Sequence, residues 1–159
     1  WISYSKSGWR RPAICFGRDT IARSPCFWPT TTCWGVESTL AATISGPLGG
    51  GMGRLREVCG AVSGMSLIAG FLAPCPDPAV RQAKAATYAL VQEFAERFRA
   101  ENGAIVCREL LGLACRKEEP VPAERTAEYY KKRPCVELVA CAARIVGEYL
   151  QRQNAAPEE

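Results

Sequence analysis

AVRQAKAATYALVQEFAERFRA, residues Ala79–Ala100, is the stretch on which the fold turns. Tyr88, Val91, Phe94 and Phe98 recur at intervals of three and four, so they line one stripe of a helix. Asn102-Gly103 follows, the residue pair that ends a helix in a left-handed conformation. Upstream, Pro74, Pro76 and Pro78 enforce a turn, because proline fixes φ and removes a backbone donor. Beyond that turn lies an apolar segment, Arg54–Leu72, which reads as a second helix with small residues at Gly60, Ala61 and Gly64. Downstream, Pro134 opens a helix running to about Arg152, with Val139, Ala143, Val146 and Leu150 expected to face inward. Shorter helices are expected over Val36–Ser45, Ile105–Leu113 and Ala123–Tyr130. No stretch alternates apolar and polar residues, so the expected class is all-α, a small helical bundle.

Residues 1–33 differ from the rest. They hold three of the four Trp and five basic side chains against the single Asp19, with no helical or strand period. From Trp34 onward Ala, Leu, Glu and Arg dominate, so the expected organisation is an irregular, non-native segment at 1–33 followed by one domain at 34–159. The division also explains the formal charge of +4, which lies wholly in the first segment. Residues 34–159 carry 15 basic and 15 acidic groups, so the folded part has no net basic field for phosphates. Nucleic acid is not an expected partner. No apolar run approaches 18 residues, so no membrane span is expected. The chain begins with Trp1, has no export signal and reads as a cytoplasmic protein, a fragment or conceptual translation.

The chemistry lies in the cysteines. Nine are present with no histidine, and the CxxC pairs of zinc ribbons are missing. Cys59 follows Arg54 and Arg56, Cys107 precedes Arg108, and Cys135 follows Lys131, Lys132, Arg133 and Pro134. Each is expected near a helix start, where free N–H groups and neighbouring cations favour the thiolate. Three such thiols can form a dithiol–disulfide pair or ligate a soft metal or an iron–sulfur cluster. The other reading is that they are small core hydrophobes. Cys75, Cys115 and Cys141 are read as packing residues without function. The small residues Gly60, Ala61 and Gly64 either admit a neighbouring helix or leave room for a cofactor beside Cys59. Gly46–Gly53 (GPLGGGMG) has five glycines in eight residues and reads as a tight turn. It lacks the Lys-Ser/Thr of a phosphate loop. Charge runs such as Arg116–Glu119 are read as solvated surface.

Three separated stretches, GPLGGGMGRLREVCGAVSG (Gly46–Gly64), CRELLG (Cys107–Gly112) and YYKKRPCVELV (Tyr129–Val139), resemble in order the C_GCAxxG_C_C family, proposed to be redox-active. The resemblance covers about residues 36–150. It differs in one detail, since the family name runs Gly-Cys-Ala where this chain has Cys59-Gly60-Ala61. It implies that Cys59, Cys107 and Cys135 perform redox chemistry with a redox protein partner, as thiols or as metal ligands. A non-catalytic metal-binding or interaction module is the alternative. The resemblance also implies one more cysteine, upstream, within a text like Asn-Cys-Ala-Gln. The codons allowed for residues 21–35, read from the third base, permit CAQSVLLAYHDLLG, an amphipathic helix beginning at that cysteine. Residues 1–33 are therefore expected to be a shifted-frame reading of it, with no roles for Cys15, Cys26 and Cys33. Without that helix and its cysteine an inactive product is the expected alternative.

Overall fold

The structure is a computed structural model that describes residues 35–114, 117–122, 124, 126, 128–129 and 133–155. The expectations for residues 1–33, and for Cys115, Lys131 and Lys132, lie outside these. Among the described residues five regular α-helices form, α1 Ser38–Ser45, α2 Gly60–Leu72, α3 Arg81–Asn102, α4 Cys107–Leu110 and α5 Cys135–Ala155, besides a turn at Gly49–Met52 that is broken by left-handed glycines. Among the described residues there is no strand, so the all-α expectation holds. A single antiparallel bridge joins Val58 to Val106.

The long helices follow their local signals. α3 ends on Gly103 at φ 83°, whose N–H reaches back to the Arg99 carbonyl at 2.8 Å. α5 begins behind Pro134, whose carbonyl accepts the Leu138 N–H at 2.9 Å. At the other end of the chain, the Glu37 carboxylate caps α1 by accepting the N–H groups of Thr39 and Leu40, both at 2.9 Å. These two bonds hold its pKa down to about 2.

α2, α3 and α5 pack against one another and enclose the core. Met65, Ile68 and Ala69 of α2 meet Leu90, Phe94 and Phe98 of α3 and Leu138, Ala142, Ile145 and Val146 of α5. Phe94 also stands edge-on to Tyr149, with ring centroids 5.4 Å apart. The α3 stripe is as expected except at Tyr88, which lies at the outer end and is exposed. On α5 Val146 is buried as expected, but the rest of the buried line is shifted by one residue: Leu138, Ala142 and Ile145 are buried, while Val139, Ala143 and Leu150 are only half-buried.

Two expected helices are shorter than their sequences imply. α2 starts at Gly60 rather than Arg54, and α4 occupies four residues rather than Ile105–Leu113. In both cases the residues just before the helix are engaged in the Val58–Val106 pairing, on the α2 side after left-handed backbone at Arg54 and Arg56. Cys59 N–H bonds the Ile105 carbonyl at 2.9 Å, and Cys107 N–H bonds the Glu57 carbonyl at 2.6 Å. Helix propensity lost here to a contact between segments 48 positions apart. In the Ala123–Tyr130 stretch, Glu128 and Tyr129 are the helical residues among those described.

Candidate functional site

The glycine-rich stretch builds the site. After the 3-10 turn Gly46–Leu48, the backbone runs left-handed at Gly50, Gly51, Met52, Gly53 and Arg54, with φ between 58° and 72°. Arg56 returns to the same region at φ 60°. Glycine adopts this conformation freely, whereas Met52, Arg54 and Arg56 are strained in it. Gly51 is required on a second ground, since a Cβ there would lie 2.6 Å from the Cys107 Cβ. The expected turn is present, and it clasps Cys107.

Cys59 caps α2 and Cys107 opens α4, on the two segments joined by the Val58–Val106 bridge. In that register Cys59 lies opposite Ile105, so Cys107 is its diagonal neighbour on the same face. Cys135 opens α5 and completes the group. Cys107 acts electrostatically on both Cys59 and Cys135, and Cys135 acts on Cys59. The three motif cysteines are thus near enough to influence one another; all three are free thiols, Cys59 and Cys107 buried and Cys135 half-buried.

Two other cysteines lie elsewhere. Cys75 sits in the proline turn, its thiol donating to the Asp77 carbonyl at 3.3 Å. Cys141 lies on the α3–α5 face, beside Asn102 and Glu101.

Electrostatics distinguish the thiols, and not as the helix-start argument expects. Burial pushes the Cys59 pKa up to about 11, against an ordinary 9.0. The backbone amides of Ala61 and Val62 pull the other way, but desolvation wins. Burial likewise raises Cys135, and the Cys107 charge adds to it, outweighing Arg133 and Arg56. Neither helix start yields a thiolate-favouring site by itself.

Cys59 therefore leaves a mark on alkaline stability. Its folded pKa exceeds the unfolded one, so the unfolded chain releases this proton first as pH rises. Stability is untouched by Cys59 below pH 9 and falls between pH 9 and about 11, by roughly 2–3 kcal/mol. Urea unfolding of the wild type and Cys59→Ala across this range should show the wild type losing more. Parallel loss in both proteins would contradict the burial argument.

Cys107 has a cation that neighbouring residues in sequence do not supply. Arg56 Nη1 donates to Cys107 Sγ at 3.7 Å, while Nη2 pairs with the Glu118 carboxylate. Arg54 pairs with the same carboxylate and bonds the Glu119 carbonyl. Glu118, expected on a solvated face, is instead half-buried and held below the usual carboxylate range by Arg56. Sequence reading placed Arg56 beside Cys59. The left-handed turn carries its side chain to Cys107, and the run of glycines before it was the available signal.

The position at Gly60 is filled by backbone: a Cβ there would lie 2.9 Å from the Leu48 carbonyl oxygen. Gly60, Ala61 and Gly64 lie at the packed start of α2, and the last two are buried. Close packing thus accounts for Gly60. As for metal ligands, among the described residues no group of three or more His, Cys, Asp or Glu side chains is arranged to hold a metal ion. No helix among the described residues is long and apolar enough to cross a membrane.

The family model described as "Putative redox-active protein (C_GCAxxG_C_C)" matches residues 27–149. The chain belongs to this family. The match begins seven residues upstream of Trp34, where composition sets the boundary. No curated protein and no solved structure matches the chain.

Proposed function

We propose that this C_GCAxxG_C_C member is a dithiol–disulfide carrier, in which Cys107 exchanges with a disulfide partner and Cys59 or Cys135 resolves the mixed disulfide. The observation that supports this reading is the diagonal placement of Cys107 beside Cys59 across the Val58–Val106 pairing, with Cys135 near enough to feel the Cys107 charge. The Cys107 thiolate attacks one sulfur of a partner disulfide, forming a mixed disulfide and releasing the partner's other sulfur as thiolate. The second cysteine gives up its proton and attacks the Cys107 sulfur. An internal disulfide forms and the first partner sulfur leaves. Two electrons and two protons have then passed to the partner, which becomes a dithiol. Geometry asks little of this step. Diagonal neighbours in an antiparallel pair lie about 7–8 Å apart, and a disulfide spans Cα atoms up to about 6.8 Å apart. A shift on the order of an ångström closes the gap between Cys59 and Cys107.

The test is to expose the reduced chain to glutathione disulfide and map the products by peptide mass spectrometry. The expected product has lost two hydrogens, with an internal bond from Cys107 to Cys59 or to Cys135. Stable glutathione adducts at all three positions with no internal bond, or a bond that omits Cys107, would overturn the reading.

A further inference from the structure

Resting on the reading that Cys107 attacks first, we propose that Arg56 is the positioning residue that makes it the attacking thiol, with the Glu118 carboxylate as the brake on that effect. Arg56 is 2% exposed, the one charged residue buried to this extent among those described. Its backbone is held left-handed at φ 60°, a conformation that is strained for an arginine. Its Nε finds no hydrogen-bond partner among the described residues. A buried guanidinium this imperfectly satisfied is destabilising unless an anion compensates it.

The charges around it do not balance without the thiol. Arg54 and Arg56 share one carboxylate, Glu118, and Arg133 adds a further positive influence on that carboxylate. Glu57, the nearest other carboxylate along the chain, is paired outward with Arg108 at 2.8 Å. Among the described residues, the pairing of Arg54 and Arg56 with the single Glu118 leaves one of their two positive charges unmatched, and the sulfur of Cys107 stands against Arg56 at 3.7 Å. Among the described residues neither Cys59 nor Cys135 accepts a hydrogen bond from a guanidinium, although Arg133 and Arg56 act on Cys135 through space. A thiolate beside a fixed guanidinium is stabilised and aimed, and the thiolate is the nucleophile. α4 is a single turn, so its N-terminus is too slight to supply the same effect. Glu118 draws on the same guanidinium from the other side, so it opposes the effect of Arg56 on the sulfur.

The experiment is residue-resolved alkylation of the reduced full chain with iodoacetamide, reading Cys107 against Cys141, which lies outside the cluster. Arg56→Gln should lower the Cys107:Cys141 rate ratio by about tenfold. Arg56→Lys should restore much of it, because the charge returns while the fork geometry does not. Glu118→Gln should raise the ratio several-fold. That sign separates an electrostatic role from a structural one, since loss of a merely structural ion pair would disturb the site the same way from either partner. An unchanged ratio in Arg56→Gln, or a fall in Glu118→Gln matching that of Arg56→Gln, overturns the proposal. If Arg56→Gln does not fold, Glu118→Gln decides alone: a rise supports the proposal, and no change or a fall overturns it. Internal disulfide formation distinguishes the two levels. A Cys107 disulfide with rates indifferent to Arg56 leaves the carrier reading standing and removes this one. Rates that respond as expected with no internal disulfide do the reverse.

Discussion

Gly51→Ala should destabilise the protein by roughly 2–5 kcal/mol and displace Cys107 from Arg56. Two independent costs add. A left-handed backbone costs a residue with a Cβ about 1–2 kcal/mol, and Gly51 stands at φ 65°. The new methyl would also lie 2.6 Å from the Cys107 Cβ, an overlap that backbone shifts must relieve at about 1–3 kcal/mol. Its neighbours separate the terms. Gly53→Ala carries only the conformational cost, since the nearest atom to its Cβ is the Pro47 carbonyl oxygen at 3.8 Å. Gly49→Ala carries neither, with φ −60° and open space around it. Denaturant unfolding of the three variants should rank Gly51 well below Gly53, with Gly49 near the wild type. Equal effects at Gly51 and Gly53 would mean that the clasp on Cys107 has no consequence. The Gly51 variant should also alter Cys107 alkylation while leaving Cys141 unchanged.

Phe94→Ala should lower unfolding free energy by about 3–5 kcal/mol, a large share of the roughly 5–15 that a domain of this size has. The ring is fully buried where α2, α3 and α5 meet, and it stands edge-on to Tyr149. Removing it loses the transfer free energy, the aromatic contact and the packing around the cavity that remains. Tyr88, on the same expected stripe, is 55% exposed, so Tyr88→Ala should cost no more than about 0.5 kcal/mol. A shallow effect at Phe94 would mean that the three helices do not share one core.

Much of this organisation was legible in the chain. Phe94 and Phe98 at a helical interval, Gly103 as a stop and Pro134 as a start each act within a few residues, so periodicity and caps suffice to place α3 and α5. The three cysteine stretches were legible too, because their order along the chain is itself the family signal. The one-residue shift on α5 was not. Several faces of that helix are apolar, and only the positions of α2 and α3 decide which is covered.

Arg54–Cys59 shows where local reading ends. Its leucine, arginine and glutamate favour a helix, yet the chain there is left-handed and then extended. Three glycines make the turn possible, but the pairing of Val58 with Val106 and of Arg56 with Glu118 makes it the lower state. Those partners are 48 and 62 positions away, beyond the reach of any local pattern. The thiol chemistry follows the same division. The presence of cysteine near cations and helix starts was fixed by sequence. Which thiol is buried, and which has a guanidinium against it, depends on how distant segments exclude water. Desolvation sums over every neighbour in space, and it outweighs the amides that sequence places beside Cys59.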